Sequence, residues 1–143
     1  MIATGQNILR YIPQRAPVVM IDTLLACAEL SSTTSFTILA DNIFCENGLF
    51  TEAGILENIA QTGAAKLGYE YISRNKPVPP GFIGAIKNLE ISTFPKVGDT
   101  IETSISIDHE VLGVTVITGI VKLAGVQIAK AEMKIVKQTD LVA

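Results

Sequence analysis

Apolar side chains recur at helical spacing between residues 51 and 74. Leu56, Ile59, Ala60, Gly63, Leu67 and Tyr71 fall on one arc of a helix drawn through this segment. Thr51 stands where a capping side chain is expected, and Glu52 puts negative charge into the first turn, where the helix dipole favours it. The other side is mixed: Glu57, Asn58, Gln61, Thr62 and Lys66 stand among Ala65, Tyr69 and Ile72. Gly63, Ala64, Ala65 and Gly68 allow neighbouring backbone to come close. This pattern predicts a mostly enclosed helix whose polar strip faces something specific.

Elsewhere the period is two. Residues 18–21 and 33–39 are short β-rich runs. Residues 100–110 alternate, with Ile101, Ile105 and Ile107 on one face and Glu102, Ser104, Ser106 and Asp108 on the other. Gly113 turns the chain into a strand over 114–123, and Ala124-Gly125 turns it again into 126–136, which makes an antiparallel meander. Prolines 77, 79 and 80 end the helix and force an extended loop over 75–81. One enclosed helix with a mostly antiparallel sheet predicts a single α+β domain over residues 1–143, and the simplest way to bury the helix is for the sheet to curl around it.

Composition narrows the partners. Of 143 residues, 48% are hydrophobic and 17% charged, which supplies a core and excludes a disordered chain. The net charge of −3 gives no electrostatic reason to bind nucleic acid. A mean hydropathy of +0.41 is high for a lone monomer and suggests a face buried against another subunit. No apolar run is long enough to span a membrane and no secretory signal is visible, so a cytoplasmic protein is expected. Dinucleotide, P-loop and nucleophile-elbow signatures do not occur. Cys27, Cys45 and His109 have no ligand spacing, so neither a metal nor a cofactor is expected.

Among chemically capable residues Glu57 stands first, at the edge of the apolar stripe and one turn before Gln61. A carboxyl half-sunk beside apolar surface suits a general acid; the plainer reading is a solvated helix glutamate. His109, flanked by Asp108 and Glu110, reads as a base or, more simply, a surface histidine at a strand end. Cys45 needs a nearby base to act as a nucleophile, and both cysteines read as small buried hydrophobes. Asp22 reads as a strand-end carboxylate bonded to backbone. Lys87 holds a phosphate or stays solvated.

Several segments, in order, resemble the β-hydroxyacyl-acyl-carrier-protein dehydratases. Residues 11–22, Tyr-Ile-Pro-Gln-Arg-Ala-Pro-Val-Val-Met-Ile-Asp, are similar to that family's opening Leu-Pro-His-Arg-x-Pro, apolar run and Asp. Asp41-Asn42-Ile43-Phe44 resembles its Asn-x-x-Phe, and Leu56-Glu57-Asn58-Ile59-Ala60-Gln61 its helix signature Ile-Glu-Ala-x-Ala-Gln. Ala85-Ile86-Lys87-Asn88 and Pro95-Lys96-Val97-Gly98-Asp99 match its strand and turn. The resemblance implies the hot-dog fold, a curved antiparallel sheet around one long helix, and a dimer or trimer of dimers with the acyl chain at the subunit interface. It implies 3-hydroxyacyl thioesters of acyl-carrier protein or coenzyme A as substrates, Glu57 as the catalytic carboxyl, and Asn47, Gly48 and Gln61 as substrate-binding residues. The family's catalytic histidine has no counterpart: Cys45-Glu46-Asn47-Gly48-Leu49-Phe50 stands in place of its Gly-His-Phe-Pro loop, with Asn47 nearest, and Gln14 replaces the earlier histidine. An amide orients a substrate but takes no proton at neutral pH. Three functions follow: a dehydratase with altered chemistry, a thioesterase using Glu57, or an acyl-binding partner of a competent dehydratase.

Overall fold

The computed structural model describes residues 1–137; the last six residues of the expected domain lie outside that range. The chain opens with β1 (Ala3–Thr4), a 3-10 helix (Gly5–Arg10), β2 (Thr23–Ala28) and β3 (Ser31–Thr37). A small hairpin, β4 (Cys45–Glu46) and β5 (Leu49–Phe50), leads into α1 (Glu52–Ser73). Four long strands follow: β6 (Gly81–Ile91), β7 (Thr100–Val111), β8 (Val114–Leu123) and β9 (Val126–Lys137). The main sheet has the order β1-β2-β3-β7-β8-β9-β6 and is antiparallel throughout. Because α1 touches β2, β3, β6, β7, β8 and β9, the sheet must bend around it, as expected. No helix among the described residues is long and apolar enough to cross a membrane.

The predicted meander is β7-β8-β9. Ile101, Thr103 and Ile105 of β7 point inward and are buried, joining Ile117, Val121 and Met133 under Ile55 and Ile59 of the helix. A second cluster, Ile8, Ile12, Ile21 and Leu24 against Ala65, seats the N-terminal segment on the other flank of α1. That seating is tight, since a Cβ on Gly68 would lie 1.9 Å from the Tyr11 carbonyl oxygen.

Three expectations need correction. Residues 18–21 form no strand, because buried helix side chains take their backbone groups: Gln61 Nε2 donates to Val18 O (2.6 Å), Met20 N donates to Gln61 Oε1 (2.6 Å), and Asn58 Nδ2 donates to Met20 O (2.8 Å). Thr51 makes no side-chain cap; its hydroxyl donates to Phe44 O (2.6 Å), tying the loop ahead of the hairpin to the helix start. Cys27 and Cys45 are both only part-buried rather than core residues. The polar strip of α1 has a structural explanation over half its length. Thr103 Oγ1 donates to Asn58 Oδ1 (2.6 Å), and Thr62, which donates to Asn58 O, lies 2.8 Å from Thr34 Oγ1. Every polar group here is buried and partnered, as an interior requires.

Candidate functional site

Gln61 is fully buried, and its orientation is dictated by chain polarity. The Met20 N–H can bond only the amide oxygen, which leaves the amide nitrogen to donate to Val18 O and, at 3.0 Å, to Glu57 Oε1. The i,i+4 spacing legible in the sequence therefore produces a held carboxyl: one oxygen of half-buried Glu57 is fixed, and the other has no protein partner among the described residues.

Glu57 opens onto a cavity of about 270 Å³ between the helix and the sheet. Ala60, Gly63, Ala64 and Leu67 of α1 form one wall; Ile105, Ile107, Ile117 and Ile135 of the sheet form the opposite one. Phe82 and Ile83 of β6 and the proline loop at Val78-Pro79 close the side, and Pro13 and Gln14 add to the lining. Gly63 keeps the slot open, because a Cβ there would stand 3.3 Å from Ile117 Cδ1. Lys66, Glu70, Glu110, Thr115 and Lys137 also stand in the lining; the sequence pattern noted Lys66 only as part of the helix's polar side and Glu110 only as a neighbour of His109, and pointed to neither as a site residue. The one readable signal was the i,i+4 spacing of Lys66 and Glu70, whose side chains are paired.

The other candidates lie apart. Asn47 and Gly48 form the exposed turn of the β4–β5 hairpin, with φ of 52° and 78°, and do not line the cavity. Asn-Gly in left-handed conformation is the preferred two-residue hairpin turn, which gives this pair a local structural reason. His109 is exposed on β7 beside an irregularity in its pairing with β8, and it too is absent from the lining. Neighbouring Asp108 accepts a hydrogen bond from Thr118 (2.6 Å) instead of orienting the imidazole. Burial pushes the Cys45 thiol above its ordinary range, opposite to what an activated nucleophile needs. Burial also raises the Cys27 thiol, with Lys66 opposing and Glu70 reinforcing the effect. Asp22 accepts a hydrogen bond from Thr37 N (2.7 Å), the backbone role expected of it. Lys87 is exposed on the sheet edge.

Glu57 is thus a held carboxyl on the wall of a largely apolar slot that also carries Glu70 and Glu110, with no imidazole in the lining. Such a group can donate a proton to a leaving oxygen or orient a water molecule.

A family model described as ApeP-like, ApeP dehydratase, matches residues 6–143. No curated protein matches the chain by sequence. Among solved structures, the dehydratase heterocomplex ApeI:P from Xenorhabdus doucetiae superposes with a TM-score of 0.85 at 13% identity, covering 93% of this chain and 91% of that one. A hypothetical thioesterase with coenzyme A from Streptococcus pneumoniae gives 0.65 at 10% identity over 81% and 87% of the two chains. The PaaI protein of Escherichia coli gives 0.62 at 11% identity over 79% and 80%. At these identities the structural likenesses establish the fold, the hot-dog arrangement of one long helix and an antiparallel sheet.

Proposed function

Because the chain belongs to the ApeP-like dehydratase family, we propose that it acts on 3-hydroxyacyl thioesters of acyl-carrier protein in the synthesis of acyl chains, holding the chain in its slot and presenting Glu57 to the hydroxyl-bearing end. The observation that carries this reading is the Gln61-held carboxyl at an apolar cavity. Dehydration removes one proton from C2 and the hydroxyl from C3, which departs as water and leaves a C2–C3 double bond. Glu57, in its protonated form, supplies the proton that the departing oxygen needs. The C2 proton needs a base, and the sole histidine of the chain, His109, is exposed and absent from the slot's lining.

This asymmetry favours a second subunit as the source of the base. Two copies of this chain bring together two such carboxyls and no imidazole at the slots; a partner dehydratase subunit carrying the histidine loop completes the pair. The relative from Xenorhabdus doucetiae is a heterocomplex, which supports this reading. A homodimer, or a trimer of dimers, then serves for acyl binding. The absence of an imidazole also favours a second chemistry, thioester hydrolysis with Glu57 acting on water, as the thioesterase-named neighbour suggests. Coenzyme A thioesters are the alternative substrates for either reaction. A cytoplasmic location fits both.

The test is to incubate the protein, alone and with a histidine-bearing hot-dog dehydratase, with 3-hydroxyacyl and saturated acyl thioesters, following enoyl product and free thiol. Glu57→Gln should lower whichever turnover is seen by about 10²- to 10⁴-fold, the usual effect of losing a positioned acid or base. Turnover unchanged by Glu57→Gln contradicts the proposal.

A further inference from the structure

The tip of the β7–β8 hairpin carries a side chain that neither the turn nor the core explains. Leu112 and Gly113 form its two-residue loop with φ of 52° and 80°, the left-handed pair for which Asn-Gly is preferred and a bulky first residue is unfavourable. Leu112 stands there nonetheless, 98% exposed. It is not an isolated apolar residue. Strand register sets Val111 opposite Val114, Val114 opposite Val136 and Val136 opposite Phe82, so an apolar row crosses four strands directly behind the tip. Val111, Val136 and Phe82 of this row are exposed. A contiguous exposed apolar stretch of this kind marks an interaction surface.

Charge identifies what the surface fits. Lys134 stands two residues before Val136 on β9 and shares its face. Arg74 and Lys76 follow the helix and lead through the proline loop to Gly81, which pairs with Lys137; Lys137 N in turn donates to Gly113 O (3.0 Å). The carboxylates of this end are engaged: Glu70 with Lys66, Glu110 with Thr115 (3.1 Å), and Glu132 with Asn88. Arg74, Lys76 and Lys134 are exposed and have no ion-pair partner among the described residues. On a chain of net charge −3, the apolar tip is thus bordered by cations. A second copy of the chain would set these like charges against each other. An anionic lipid surface suits them, because it takes apolar side chains below its headgroups and cations among them.

We propose that the Val111-Leu112 tip and the row behind it seat this protein on membranes containing anionic phospholipid, with Leu112 entering the headgroup region. The inference goes beyond the acyl-thioester reading and does not depend on it. The full-length protein is mixed with vesicles of phosphatidylcholine alone, or of equimolar phosphatidylcholine and phosphatidylglycerol, and floated on a density gradient. It should float with the anionic vesicles only and be released by high salt. Leu112→Asn suits the turn, so it should keep or raise the melting temperature while weakening vesicle binding about tenfold, the worth of one buried leucine. Lys76→Gln with Lys134→Gln should weaken binding by about tenfold or more at low salt. The chain contains no tryptophan, so Leu112→Trp supplies a single indole whose emission should shift to the blue on anionic vesicles. No flotation with anionic vesicles, flotation that Leu112→Asn leaves unchanged, or an unshifted indole on bound protein overturns the proposal. It is equally overturned if Leu112→Asn weakens association with a histidine-bearing dehydratase subunit and leaves vesicle binding untouched, which makes the tip a protein contact.

Discussion

Gln61 shows how much one side chain can decide. Its amide satisfies two backbone groups of a segment that would otherwise be free to pair as a strand, and the remaining proton holds Glu57. Gln61→Leu should therefore destabilise the protein by about 1–3 kcal/mol, read by chemical denaturation, since it strands the Met20 N–H and Val18 carbonyl. Asp22 gives a pH-dependent counterpart. Burial holds its carboxyl above the ordinary range, partly offset by the Thr37 N–H. The folded protein then binds the proton more tightly than the unfolded chain. Stability from this group falls as pH rises through the carboxylate range and stays reduced at neutral pH. Asp22→Asn keeps an acceptor for Thr37 and removes that penalty. Its melting temperature should exceed the wild type's at pH 7, and the gap should narrow as pH falls through the raised value of the folded carboxyl and be gone by about 4, the ordinary aspartate value. The Glu57–Gln61 spacing was legible in the sequence. The burial of Gln61 was not, because it depends on residues 18–20, some forty positions earlier in the chain, being folded against the helix.

Among the elements, α1 and the β7-β8-β9 meander were readable because their periods are regular and their turns carry glycine. β2 and β6 were not. β2 is a short run, TLLACA, whose pairing slips at a bulge, and β6 is exposed along most of its length with two irregularities in its register, so neither shows a clean alternation. The mixed face of α1 misled in another way. Asn58 and Thr62 face the sheet and bond to it, so a polar strip that suggested a ligand is in large part internal packing. The small residues meant what they suggested. Gly68→Ala has to push the Tyr11 backbone aside and should cost about 1–3 kcal/mol or more, seen as a lowered denaturation midpoint. Gly63→Leu should fill the slot beside Ile117 and reduce acyl-chain affinity without comparable loss of stability, measured by titration alongside a melting curve.

For the molecule as a whole, the main sheet among the described residues ends at β6. β6 is 11 residues long and exposes Phe82, Ile83 and Ile86 at 56%, 39% and 40%. Long apolar edges invite strand addition, and this one borders the cavity, so a partner joined here also walls the slot. On the proposal that two subunits join along β6, Ile86→Lys should shift them toward monomer in sedimentation velocity and weaken acyl binding in parallel. The composition suggested a covered face without locating one; the sheet order makes β6 the candidate for it. The proposal that ties these scales together is that a fatty chain lies along α1 with its reactive end at Glu57. A crystal structure of the protein soaked with a non-hydrolysable 3-hydroxyacyl thioether analogue tests this most directly. The account predicts the 3-hydroxyl within hydrogen-bonding distance of the free Glu57 oxygen and the chain running past Gly63 toward Lys66. An analogue bound elsewhere, with Glu57 turned to bulk solvent, would contradict it.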